Sequence, residues 1–245
     1  MQPAAGRAQA GPVREALSVW AAVFAGLAAL KAVGLIIGVV RQLVGAAAVA
    51  AFLWAPIPRL ERTGQDPREA GWRFDRLGAD AAWALLACAV VLPHFTIAFA
   101  AFVRVLPALP GDVARALAPY VGGAHPLRFS LPADRFDFLG RVLGNAAVAL
   151  GEEFFYRGYL TLRFEERWPP RVRILGAPMG RGAVLAAALF ALGHLLDPAP
   201  WRLLVFLPAL VFAWLRARTG TIAGAAICHF AFNVWLLLLE QAAFG

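Results

Sequence analysis

An all-α, polytopic transmembrane bundle of about seven to eight helices is predicted by three properties of this 245-residue sequence. Apolar residues make up 61% of it, charged residues only 16%, and the mean hydropathy is +0.67. A soluble domain is nearer half apolar and about a quarter charged. A single soluble core has no room for this much apolar surface, whereas a bilayer does. Residues 79–103 show the pattern in one segment: Asp80 is their only charge. A helical span needs about 20 predominantly apolar residues.

The apolar runs place helices near 16–38, 42–57, 79–105, 137–162, 182–196, 201–215 and 220–240. Lys31 and Arg41 interrupt the first two. The run after Arg14 has the flavour of a signal peptide, but it continues past Lys31 without a small-residue cleavage site and reads as a retained span. The fifth and sixth runs are short for full spans, so the Asp197-Pro198-Ala199-Pro200 turn between them is placed in the outer half of the bilayer. An eighth element is possible in 106–135, where Pro107, Pro110, Pro119, Pro126 and Pro132 argue for loop or broken helix. By organisation, 1–136 is an N-terminal set of helices and loops, and 137–245 is the core expected to carry the chemistry. The two form one integrated membrane domain.

The net charge of +8 does not point to nucleic acid. The cations cluster between apolar runs and form no strip interleaved with aromatics, so they read as membrane-flanking charge. Arg59, Arg62, Arg68, Arg73 and Arg76 fill one link. Arg163, Arg167, Arg171, Arg173 and Arg181 fill a second, and Arg216 and Arg218 a third. With seven helices all three links fall on one side, together with Arg7 and Arg14, so the expected N-terminus is cytoplasmic. The arginine- and alanine-rich composition reads as bacterial, hence an inner-membrane protein. The partners implied are the lipid bilayer and a membrane-associated protein or peptide. Cys88 and Cys228 both lie in apolar runs, with neither disulfide-framework nor zinc spacing.

Charges inside the fourth run need an explanation. Gly151-Glu152-Glu153-Phe154-Phe155-Tyr156-Arg157-Gly158 places three ionisable groups in a membrane helix, each costing roughly 2.5–3.5 kcal/mol at the bilayer centre. Glu153 and Arg157 are four apart and can pair on one helix face. Glu152 is turned about 100° away and needs a different partner. His194, His229 and Asn233 are the candidates downstream, the last two again four apart. Counted from the arginine-rich ends, Glu152, His194 and His229 lie about 11, 13 and 9 residues deep, or roughly 16, 20 and 14 Å. Three helices therefore bring polar groups to a similar depth.

Those residue types suit peptide hydrolysis. Glu152 can accept a proton from water and His194 can position that water, while His229 and Asn233 can donate to an oxyanion. No serine follows Ser130, and Cys228 is turned about 100° from His229, so a serine or cysteine nucleophile is not suggested. Two histidines and a glutamate could also ligate zinc, although no His-Glu-x-x-His helix is present.

Three ordered motifs resemble those of the CPBP family, the CAAX-protease and bacteriocin-processing membrane proteins that include the eukaryotic Ras-converting CAAX protease. Glu-Glu-x-x-x-Arg matches Glu152, Glu153 and Arg157; Phe-x-x-x-His matches Phe190 and His194; His-x-x-x-Asn matches His229 and Asn233. The resemblance spans 137 to 240. It implies that Glu152 and His194 activate the water, that His229 and Asn233 form the oxyanion hole, and that Glu153 and Arg157 support them. It also implies an intramembrane endopeptidase with no cofactor, the zinc-dependent version of the same protease remaining open. A non-catalytic immunity or scaffold protein is the alternative. A proton-coupled transporter is disfavoured, because buried charge is confined to the second half.

Blander readings apply to other residues. His94 and His125 belong to no motif and read as structural or surface groups. Gly220-x-x-x-Gly224 reads as a close helix contact, Phe154, Phe155 and Tyr156 as packing, and Asp197 as a turn or cap.

Overall fold

The computed structural model describes residues 11–105, 108–113, 127–129, 134–197 and 199–244. The described elements are α1 (Pro12–Gly34), α2 (Gly38–Trp54), α3 (Ile57–Arg62), α4 (Leu77–Val105) and α5 (Arg135–Glu153). A π-helical segment (Phe154–Leu160) continues α5 into α6 (Thr161–Arg167). After these come β1 (Val172–Ile174), β2 (Ala177–Met179), α7 (Arg181–Gly193), α8 (Phe206–Thr219) and α9 (Ala223–Phe244). Short 3-10 turns, His194–Leu196 and Pro200–Val205, end α7 and begin α8.

Five stretches are long and apolar enough to cross a membrane: Pro12–Gly34, Gly38–Arg62, Leu77–Val105, Pro200–Thr219 and Ala223–Phe244. The chain is a helical integral membrane protein. Its outward surface fits a lipid solvent, since Leu35 and Ile36 are 81% and 87% exposed and Leu85, Ile97 and Leu207 are exposed too. Such a display would be a liability in water. The α7 helix with its 3-10 turn, Arg181–Leu196, is shorter than a span, as its sequence indicates.

The seven expected helices are all present, with ends shifted by a few residues. The largest shift is in the motif-bearing helix, which runs on to Arg167 and so carries Arg163 within it rather than in a link. The possible eighth element lies mostly outside the described residues, as does His125. Arg128, which is described, donates its backbone N–H to the Ala242 carbonyl of α9 at 2.8 Å.

One buried cluster joins both halves of the chain. Ala16, Val19 and Leu27 of α1 and Phe52 of α2 pack with Phe154, Phe155, Tyr156 and Leu160 of the π segment and Phe190 of α7. The Phe154-Phe155-Tyr156 run is therefore packing, at 2%, 0% and 1% exposure. A second cluster joins α4 to α8 and α9 through Ala84, Cys88, Phe212, Cys228 and Phe232. The Cys88 and Cys228 sulfurs touch at 3.5 Å as free thiols, so Cys228 points at α4.

The arginine-rich links fold back into the bundle. Ile222 donates its N–H to the Gly71 carbonyl at 2.9 Å, and Trp72 meets Phe154 edge-on at 4.8 Å. Between α6 and α7 lies an antiparallel β1–β2 hairpin with Val172 opposite Met179, held to α8 by a bond from the Trp214 indole to the Ile174 carbonyl. Of the two glycines read as a close contact, only Gly224 is one: a Cβ there would lie 3.2 Å from the Asp80 carbonyl of α4. Gly220, at φ 77°, ends α8 in the left-handed conformation.

Gly158 explains how the π segment is accommodated. A Cβ at this position would stand 2.8 Å from the backbone carbonyl of Ala70, which is itself fully buried. Backbone cannot give way as a flexible side chain can, so Gly158→Ala is expected to destabilise the protein by about 1–3 kcal/mol through overpacking. A detergent melting curve checks this. An unchanged midpoint would show that the link does not press on the helix as described.

Candidate active site

The site is built on the π segment and the turn before it. A π turn inserts one extra residue into a helical turn, and such bulges recur at functional sites. Here Thr161 donates its hydroxyl to the Tyr156 carbonyl, five residues back, at 2.8 Å. All seven residues of Phe154–Leu160 are buried. Because the bulge begins only after Glu153, the two glutamates keep ordinary helical spacing and point in different directions.

Glu153 and Arg157 form the expected pair, with Arg157 Nη1 donating to Glu153 Oε1 at 2.9 Å. Their side chains are 0% and 1% exposed. Arg157 also donates through Nη2 to the Ala209 carbonyl of α8 at 3.1 Å. Its guanidinium carbon lies 4.4 Å from the Phe190 ring centre and 5.3 Å from that of Phe212. Ring faces attract a desolvated cation, so two aromatics and one carboxylate offset its burial.

Glu153 does more than the sequence suggests. Its Oε1 also accepts from His229 Nδ1 at 2.8 Å, so one carboxylate oxygen holds both the arginine and the histidine. The other nitrogen, His229 Nε2, stands 3.5 Å from Oε2 of Glu152. The partner that Glu152 requires is thus His229. Glu152 keeps 14% side-chain exposure, unlike its neighbour. Its carboxylate is the open face of an otherwise sealed cluster.

His229 is wedged between rings. Phe212 stacks on it at 4.7 Å and 16°, and Phe190 meets it edge-on at 5.6 Å. Phe190 also contacts the His194 ring, at 4.5 Å. The Phe-x-x-x-His spacing therefore has a second use: the phenylalanine spaces the two histidines. His194 Nδ1 sits 2.8 Å from the Phe190 carbonyl, four residues back. A carbonyl only accepts, so Nδ1 carries the proton, and in that tautomer of the imidazole Nε2 is an acceptor. His194 is half-buried and meets the cluster through the Phe190 ring. Asn233, one turn along α9 from His229, is half-buried and has no hydrogen-bond partner among the described residues.

Glu152, Glu153, Arg157 and His229 are thus in direct contact, His194 joins them across one aromatic ring, and Asn233 adjoins by helical spacing. Among the described residues, no group of three or more His, Cys, Asp or Glu side chains is placed to hold a metal ion. His94 bonds only its own helix, Nδ1 to the Val90 carbonyl at 2.7 Å, as a surface residue would. Phe212 carries no motif; its one signal is membership of an apolar run.

Comparison with known proteins bears on the same stretch. Residues 135–235 match the family described as type II CAAX prenyl endopeptidase Rce1-like. Over these residues the chain is similar to the CAAX-protease family. All seven motif residues, from Glu152 to Asn233, fall inside the match. No curated protein and no solved structure matches the chain. The α1 to α4 helices lie outside the CAAX-protease match, although α1 and α2 pack directly on its motif helix.

Proposed function

We propose that this protein hydrolyses a peptide bond near the C-terminus or membrane segment of a protein substrate, using water activated by Glu152 and His194. The observation that carries this reading is the asymmetry of the glutamate pair. Glu153 is sealed, its Oε1 shared by Arg157 and His229, while Glu152 remains open beside His229 Nε2.

Glu152 takes one proton of the water, and His194 accepts the other O–H through its bare Nε2, which aims the oxygen lone pair at the scissile carbonyl. Attack places negative charge on the carbonyl oxygen, where His229 Nε2–H and the Asn233 amide donate. The proton held by Glu152 then passes to the leaving amine, and the C–N bond breaks. Donation from Nε2 while Nδ1–H is engaged by Glu153 requires His229 as imidazolium. Glu153 thus supports the site by holding His229 in its donor form. The 137–245 core carries this chemistry, and the helices of 1–136 buttress it.

The substrate is a membrane-associated protein or peptide, the class on which CAAX-type endopeptidases act. With all three arginine-rich links on one side, the N-terminus is cytoplasmic and the cleavage site opens within a bacterial inner membrane.

This mechanism uses no cofactor. Purified enzyme treated with EDTA is expected to retain its activity, with substoichiometric zinc by elemental analysis. A zinc-dependent enzyme would use His194 and His229 as ligands and Glu152 as general base, and its bound water would titrate near 7. Activity lost on chelation and restored specifically by zinc would replace the present assignment with that one. Inhibition by phenanthroline alone decides nothing, because an apolar chelator can occupy a membrane cleft.

A further inference from the structure

The turn that carries His194 is held from outside the family-matched segment. The 3-10 turn His194–Leu196 ends α7, and the Leu196 carbonyl at its end accepts no backbone N–H among the described residues. In a bilayer such groups need a protein partner. Lys31 of α1 supplies one: its Nζ donates to the Leu196 carbonyl at 2.7 Å. The same ammonium pairs with Asp197 Oδ1, and Asp197 Oδ2 takes Arg202 Nη1 at 2.8 Å. Asp197, expected to be a turn or cap residue, is thus the centre of a three-residue ion cluster.

A second contact from α1 closes on the same turn. Phe24 precedes Lys31 by seven residues, two helical turns, and so shares its face. A Cβ added at Gly193 would lie 2.5 Å from Phe24 Cζ and 2.9 Å from the Tyr156 hydroxyl. Helix α1 and the motif helix therefore meet over the residue that precedes His194. Only a glycine permits that approach.

We propose that Lys31 and Asp197 are positioning residues, clamping the end of α7 so that the His194 imidazole is held at the reacting water. The cation sits at a helix C-terminus, where the helix dipole favours positive charge. Its position also gives a use for the chain's one lysine, which stands in the apolar stretch of α1 that follows Glu15. The proposal rests on the hydrolytic reading for its effect on rate, but its structural half does not.

The test compares Lys31→Met, Asp197→Asn and the conservative Lys31→Arg with wild type in detergent, by two readouts. In the first, hydrogen exchange of peptides covering 192–199 is expected to speed up by about tenfold in Lys31→Met and Asp197→Asn, with the rest of the chain unchanged. Lys31→Arg should keep the wild-type pattern. In the second, kcat on a membrane-peptide substrate should fall roughly ten- to a hundredfold in the first two variants, with KM little altered and Lys31→Arg near wild type. Unchanged exchange at 192–199 in both Lys31→Met and Asp197→Asn would overturn the clamp. Faster exchange with unchanged kcat would overturn its positioning role. A wild-type protein that cleaves nothing would sink the hydrolytic reading instead, and the exchange data would still decide whether the clamp exists.

Discussion

In membranes carrying Glu152→Gln, substrate cleavage falls by at least about a thousandfold while the amount of inserted protein stays near wild type. The change preserves shape and removes the base. General acid–base groups typically contribute roughly 10² to 10⁴-fold, and here the same carboxylate serves the water and then the leaving amine. Stability should change little, because Glu152 is part-exposed and its ion pair with His229 is long, at 3.5 Å. His194→Ala is expected to behave likewise. Rates and membrane abundance, measured together on both variants, decide the matter. Loss of protein from the membrane in both would make these residues structural and undo the catalytic assignment.

The opposite signature is expected next door. Glu153→Ala and Arg157→Ala should each destabilise the protein by about 3–5 kcal/mol, since each leaves a buried charge without its partner. No discount for solvent screening applies to side chains 0% and 1% exposed. Arg157→Ala also empties the space between Phe190 and Phe212, and Glu153→Ala releases His229 Nδ1 as well. The double variant should be milder than the sum of the two, because it removes both charges of one interaction. Thermal melts in detergent read all three. Single variants that melt with wild type would show that the pair does not hold the bundle.

The contrast between the adjacent glutamates also shows what the sequence could disclose. Spacing alone pairs Glu153 with Arg157 and leaves Glu152 seeking a partner, because helical geometry fixes which side chains share a face. The apolar runs likewise mark the spans, since a bilayer imposes length and composition on every segment that crosses it. Less local features stayed hidden. The Glu153–His229 bond joins residues 76 apart and the Lys31–Asp197 pair joins residues 166 apart. Neither has a signal in its own stretch of chain. The π turn leaves no periodic trace, because every residue of Phe154–Leu160 is buried and no exposed face remains to reveal the pitch. The hairpin at 172–179 escaped because three-residue strands within an arginine-rich link are too short to show alternation. Asp197 read as a turn residue since a following proline suffices to explain it; only the packing of α1 supplies its cation.

The central claim, that this bundle cuts peptide bonds with Glu152 as the base, is tested most directly by C-terminal proteomics of membrane proteins. Cells producing wild type are compared with cells producing Glu152→Gln at equal abundance. A discrete set of new C-termini, on membrane-associated proteins or peptides and present only with wild type, is the predicted result. Identical C-termini in the two cell populations, with both proteins folded in the membrane, would contradict it and favour a non-catalytic immunity or scaffold role.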